Sequence, residues 1–210
     1  MTTNVVVIDT GAGNIPSVLN ALRSVSDRVS LSSEINLINK ADAVVLPGVG
    51  SFPTFMKNLD ELNLTGAIIE NIQKGKHMLG ICVGMQVLSQ ASSEFEGTSG
   101  FGVINGIVKN LSELGIKNSR IPHVGWNGIR LDSSCGQNDP LMTLSERDVY
   151  FMHSYGFEAE TVGAIGWTDY EIRFCSAVRI QNTLGVQFHP EKSHVAGLDF
   201  LASWLESTKR

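Results

Sequence analysis

Gly80-Ile81-Cys82-Val83-Gly84 places a thiol between two glycines at the end of an apolar run. This G-x-nucleophile-x-G form suits a strand-to-helix elbow, whose glycines permit the sharp turn that holds a nucleophile at the C-terminal edge of a sheet. A cysteine entering a helix feels free N–H groups and the positive end of the dipole, both of which favour thiolate. The N–H of Val83 would point at an oxyanion formed on a substrate carbonyl. A buried structural cysteine between packing glycines is the competing explanation. A thiol nucleophile needs a base, and the best candidate is His189 in Gly185-Val186-Gln187-Phe188-His189-Pro190-Glu191. There an apolar strand ends in histidine, Pro190 stops the ladder, and Glu191 can reach the far imidazole nitrogen and stabilise imidazolium.

The other histidines offer less. His77 precedes the elbow strand and reads as structural, His123 and His153 sit in turn-flanked segments, and His194 is expected to face solvent on the last helix. No pair has metal-ligand spacing backed by acids or thiols, so no metal is expected. Gly11-Ala12-Gly13-Asn14-Ile15-Pro16 begins like a dinucleotide fingerprint, but Pro16 holds the third glycine position. A nucleotide cofactor of that kind is therefore not expected, and no other cofactor is called for.

The elements that must position these residues alternate. Val5–Ile8, Ala43–Leu46 and His77–Ile81 are unbroken apolar strand runs, each followed by a Gly-rich turn. Asn14 reads as the cap of the first helix, with Pro16 in its first turn, and an apolar helix is expected after the elbow through Val87 and Leu88. Such strands indicate a mostly parallel central sheet flanked by helices, an α/β fold. From about Phe101 shorter runs suit added antiparallel strands: Tyr150–Met152, Val162–Trp167, Ala177–Ile180 and Leu184–Phe188. A helix from about His194 to Ser207, with Val195, Leu198, Leu201 and Leu205 on its apolar side, should close the fold. The chain has 210 residues, 42% of them hydrophobic, and neither repeat nor linker, which fits a single domain over 1–210. Sixteen basic against twenty-one acidic residues leave no footprint for nucleic acid. Three scattered cysteines without a C-x-x-C pair, and no long apolar stretch, point to a reduced, cytoplasmic chain with no membrane role.

At these motifs the chain resembles the class I glutamine amidotransferases, and among them the glutaminase subunits of imidazole glycerol phosphate synthases. The similarity rests on Gly11-Ala12-Gly13-Asn14, Pro47-Gly48-Val49-Gly50, Gly80 to Gln86, Pro122-His123-Val124-Gly125-Trp126-Asn127, Tyr150-Phe151-Met152-His153-Ser154-Tyr155 and Gly185 to Ser193. The resemblance implies that Cys82 attacks the carboxamide of glutamine, His189 carries the proton to departing ammonia, and Glu191 orients His189. It assigns oxyanion donors to Val83 and to Val49 or its flanking glycines, and the glutamine pocket to Gly50, Gln86, Ser154 and Tyr155. It further implies a heterodimer, in which ammonia passes to a (βα)₈ barrel cyclase subunit in histidine biosynthesis, with Asn14, Trp126, Asn127, Tyr150 and Lys192 facing that partner.

Three positions depart from the pattern: Thr10 where tyrosine is common, Val83 where leucine is usual, and Ile104-Asn105-Gly106 in place of a Pro-Gly turn. They leave open a paralogous glutaminase paired with a related barrel in surface-sugar amidination. A cysteine hydrolase or peptidase on the same elbow is the alternative of another class.

Overall fold

The computed structural model describes residues 3–11, 14–95 and 97–209. Ala12 and Gly13 of the Gly-rich turn lie outside them. The first half supplies β1 (Val5–Ile8), α1 (Ile15–Arg23), β2 (Val29–Ser32), α2 (Ile35–Lys40), β3 (Ala43–Gly48), α3 (Phe52–Glu61), α4 (Leu64–Gln73), β4 (His77–Cys82) and α5 (Val83–Gln86). The second adds β5 (Ser89–Ser92), β6 (Thr98–Ser99), β7 (Ile104–Asn110), β8 (His123–Gly128), β9 (Arg130–Leu131), β10 (Asp148–His153), β11 (Tyr155–Glu158), β12 (Ala164–Tyr170), β13 (Ile172–Ile180), β14 (Thr183–Val186) and α6 (His194–Ser207).

Among the described residues twelve strands form one sheet, in the order β2-β1-β3-β4-β14-β13-β11-β7-β5-β6, with β12 pairing β13 and β9. Strands β2, β1, β3, β4 and β14 run parallel. The side chains of β1 and β3 are apolar and buried on both faces, as expected of strands inside a parallel sheet. Strands β13, β12 and β11 add antiparallel pairs, as expected from the shorter runs. Separately, β8 and β10 form a two-stranded antiparallel ribbon.

Parallel pairing gathers strand ends at one edge. Gly48 pairs with Cys82 and Val186 with Ile81, so the residues following β3, β4 and β14 converge. The switch-point rule for open α/β sheets places ligands at such an edge.

The helix after the elbow is shorter than expected and ends before Val87 and Leu88. The carbonyls of Val87 and Leu88 accept from the N–H groups of Phe101 (2.7 Å) and Ile104 (2.8 Å), which turns the chain into strand pairing. The last helix has the expected span with a shifted buried face. Ala196, Gly197, Phe200, Leu201, Trp204 and Leu205 are buried, whereas Val195 is 61% exposed. Phe188 beside the strand end packs edge-on against Phe200 at 5.6 Å and Phe151 at 6.1 Å, anchoring α6 and the ribbon to the same edge. Asn14 does cap α1 by position, but its side chain makes no cap bond and accepts instead from Ser17 Oγ at 2.7 Å.

Candidate active site

Cys82 occupies φ 54°, ψ −111°, a conformation that costs a non-glycine residue energy and is retained where the surroundings enforce it. Two glycines do the enforcing. A Cβ on Gly84 would lie 1.9 Å from the carbonyl oxygen of Leu46, and one on Gly80 would lie 2.5 Å from the carbonyl oxygen of Gly84. Only bare backbone lets the strand fold back so tightly against β3. Val83 follows as the first residue of α5, where helix geometry leaves its N–H without an intrahelical acceptor.

His189 follows β14, and Pro190 opens a short 3-10 helix (Pro190–Lys192) that swings Glu191 back onto the imidazole. Nδ1 of His189 lies 2.8 Å from Oε1 of Glu191, with both side chains 1% exposed. The backbone of His189 is clamped on two sides. Its N–H donates to the carbonyl of Tyr150 at 2.8 Å, and its carbonyl accepts from Ser193 Oγ at 2.6 Å. Nε2 makes no hydrogen bond in this resting arrangement, nor does Oε2 of Glu191. Burial opposes the cation at His189, but its interactions with Cys82 and Glu191 outweigh that and push its pKa up to about 10. Cys82 and Glu191 thus both favour the protonated imidazole.

Cys82 and His189 line a cavity of about 260 Å³ together with Val49, Gly50, Val83, Gln86, Ser154 and Tyr155. This volume falls just below the range of roughly 300–1,000 Å³ for drug-sized ligands, and so fits one small metabolite. Every residue that the sequence pointed to for thiol chemistry and substrate contact is on this wall, except Glu191, which stands behind His189. Four further residues complete it: Glu94, Pro122, Met152 and His153. Glu94 is the acid among the lining residues, and its Oε2 accepts from the N–H of Phe52 at 2.8 Å, at the N-terminus of α3. No local sequence signal marks it, because the contact spans 42 residues.

Sequence reasoning also undervalued two histidines. The turn-flanked segments of His123 and His153 are β8 and β10, where the two residues are directly cross-strand and buried. Nδ1 of His123 meets Nε2 of His153 at 3.1 Å, while Nδ1 of His153 lies 2.9 Å from the carbonyl oxygen of Tyr155. Burial lowers His123 to about 4. It also lowers His153 to about 3, against the raising effect of the Tyr155 bond and with help from repulsion by His123 and His189. Both are neutral at pH 7. The pairing of alternate residues across two strands was invisible without the register.

Residues 6–204 match the glutamine amidotransferase class-I family. The chain belongs to that family. It is 41% identical over 208 residues to the imidazole glycerol phosphate synthase subunit HisH of Aquifex aeolicus, covering 98% of this chain and 97% of that one. Against the subunit of the same name from Lactococcus lactis the identity is 39% over 204 residues, covering 96% and 98%. A crystal structure of a glutamine amidotransferase superposes with TM-score 0.72 at 16% identity, covering 98% of this chain and 99% of that one, a likeness of fold.

In this class-I amidotransferase chain the ribbon of β8 and β10 carries an exposed apolar face beside the cavity. Val124, Trp126 and Met152 are 53%, 46% and 39% exposed, so Trp126 is not a core residue. Its ring stacks on His194 (4.9 Å, 7° between planes) and meets Tyr150 edge-on at 5.9 Å, while Lys192 Nζ lies 5.8 Å from the Tyr150 ring. His194 is exposed, as expected, but is partnered. Asn127 is half-buried: its Nδ2 donates to the carbonyl of Asp169 at 3.0 Å and its Oδ1 accepts from the N–H of Gly128 at 2.9 Å. Asn14 starts α1 and accepts from Ser17, which lines a surface pocket together with Lys192 and His194 of this stack.

Proposed function

We propose that this chain is the glutaminase subunit of an imidazole glycerol phosphate synthase, cleaving glutamine through a Cys82 thioester and passing ammonia to a (βα)₈ barrel cyclase subunit in the cytoplasm. The observation that carries the chemistry is the convergence of Cys82, His189 and Glu191 around one small cavity. The curated relatives named above support the pathway, since both are called subunits of that synthase, which also supports a partner subunit. They favour this reading over surface-sugar amidination, and the family match disfavours a peptidase.

The sulfur of Cys82 attacks the carboxamide carbon of glutamine, and the carbonyl electron pair moves onto oxygen. The N–H of Val83 and a peptide N–H of the Val49–Gly50 segment receive that oxyanion. His189 gives its proton to the departing nitrogen, ammonia leaves, and the γ-glutamyl thioester remains. Water, deprotonated by His189, then attacks the acyl carbon; the C–S bond breaks and glutamate is released. Glu191 keeps the imidazole in register throughout. Gln86, Ser154 and Tyr155 hold the amino-acid end of the substrate, and the Glu94 carboxylate suits its α-ammonium. Trp126, Tyr150 and Lys192 suit a partner face, as an aromatic and cationic cluster on an exposed ribbon. Asn127 borders that face, its side chain tied to the backbone of Asp169 and Gly128.

The test is glutamate release with and without the barrel subunit and its nucleotide ligand. The isolated chain should turn over slowly and the partner should raise kcat. Full activity of the isolated chain, unchanged by the partner, would contradict the subunit reading.

A further inference from the structure

Gln187 has no part in the roles assigned so far, yet it is fully buried one residue beyond the Val186–Ile81 pair, which brings it beside Cys82. Its orientation follows by elimination. A carbonyl oxygen can only accept, so Gln86 faces the carbonyl of Tyr155 with Nε2, at 2.9 Å. The same Nε2 lies 3.0 Å from the side chain of Gln187, so the Gln187 atom there is Oε1. The Nε2 that remains on Gln187 lies 3.6 Å from Cys82 Sγ. A backbone carbonyl two side chains away thus dictates that the sulfur receives a donor and not an acceptor. His153 reinforces the polarity by donating from Nδ1 to that same carbonyl.

We propose that Gln187 is a positioning residue for the nucleophile, its amide N–H steadying the Cys82 sulfur and stabilising the thiolate over the thiol. The assignment rests on the glutaminase reading only in naming the reaction that the thiolate serves. A donor gains most when its acceptor is charged, so the contact favours the ionised sulfur. Unlike a second cation, a neutral amide does this without adding a buried charge. The contact weakens as the sulfur's electron pair enters the new C–S bond of the thioester. It is recovered when water attacks the acyl carbon, the C–S bond breaks and the pair returns to sulfur. Gln187 therefore enlarges the supply of thiolate for the attack and favours the departure of the same atom. A purely structural glutamine, present only to satisfy Gln86, would leave thiol ionisation untouched.

The experiment measures alkylation of Cys82 by iodoacetamide in the full chain across pH 6–10, with the labelled site located by mass spectrometry. Gln187→Met matches the side chain in length and removes the donor. Its alkylation midpoint should move up by about half a pH unit, roughly a threefold loss of thiolate on the acid side of the profile. A folded Gln187→Met protein with the wild-type midpoint would overturn the proposal. A second measurement needs no substitution at Gln187: its side-chain NH₂ resonances should shift as Cys82 titrates, and stay fixed in Cys82→Ala. Resonances indifferent to Cys82 would equally overturn it. Neither readout uses glutamine, so glutamate release, assayed separately, bears on the glutaminase reading alone.

Discussion

Glu191→Gln keeps an oxygen near the place where Oε1 now meets His189 Nδ1 at 2.8 Å, and removes only the charge. Spread over carboxylate and imidazolium, the two charges sit about 4 Å apart, worth at most about 4 kcal/mol at an effective dielectric of 20. An amide oxygen still accepts the Nδ1 proton and retains about 1 kcal/mol of that. The net loss of about 3 kcal/mol corresponds to a roughly 150-fold weaker hold of His189 on its proton, which depletes the imidazolium by that factor only above the wild-type value of about 10. Acylation by a slow glutamine analogue, followed in single turnover, should approach a fall of about that factor on the alkaline limb and change much less at neutral pH. His189→Ala, which loses the proton carrier, should fall further. The pH profile adds a sign. With its value raised to about 10, wild-type His189 keeps its proton well into the alkaline range, so the basic limb of acylation should lie at lower pH in Glu191→Gln. Stability follows the same logic. A histidine raised above its unfolded value of about 6.5 contributes fully below pH 6.5, and that contribution disappears as pH climbs toward 10. The melting temperature of wild type should therefore drop across pH 6.5–10 more than that of Glu191→Gln. Equal acylation rates on the alkaline limb and parallel melting curves would refute the charge-pair argument.

Cys82→Ala should abolish glutamine hydrolysis and labelling by electrophilic glutamine analogues, whereas Cys175→Ala should keep both, since burial pushes the Cys175 thiol up to about 12; an analogue adduct on Cys175 would overturn this. Gly84→Ala drives a methyl into the Leu46 carbonyl, at 1.9 Å, and should destabilise the chain by more than 3 kcal/mol, on the order of other severe overpacking; a wild-type urea midpoint would contradict the elbow geometry. His123 and His153, both lowered by burial, stabilise the folded chain above about pH 6.5 and oppose it as acid charges them, so wild-type melting should fall from pH 6.5 toward 4. His123→Phe should flatten that fall, and an unchanged slope would count against the neutral pair. Trp126→Ala and Lys192→Ala should weaken stimulation by the barrel subunit while basal glutamate release survives, and unchanged binding by calorimetry in both would return Trp126 to a merely exposed aromatic.

The elbow at Cys82 was legible because local sterics leave few alternatives. Two glycines around a thiol after an apolar run permit a turn that no side chain would allow, and the structure places both against backbone carbonyls. His189 and Glu191 were legible for a similar reason: Pro190 ends the strand and the short turn after it brings the pair together within two residues. The parallel core could be read from runs such as Val5–Ile8, whose lack of alternation requires burial on both faces. Helix α6 was found by its periodicity, but the periodicity put Val195 on the wrong side, since a stripe of apolar residues does not say which edge of it the core will cover.

Tertiary structure decided the remainder. Gln187, Glu94 and His153 carry no local signature, because their meaning lies in partners 101, 42 and 30 residues away. A glutamine before Phe188 reads as one more residue of a strand until the β4–β14 register places it against sulfur and the Gln86 contact sets which end of the amide faces Cys82. The pairing of His123 with His153 depends on strand register, where a slip of one residue would send both rings to the opposite face. Sequence determined which residues can do the chemistry, because nucleophile, turn and strand end are constraints of neighbouring backbone. Which groups steady that chemistry, and which surface is left for a partner, depends on distances between elements that only the packed fold defines.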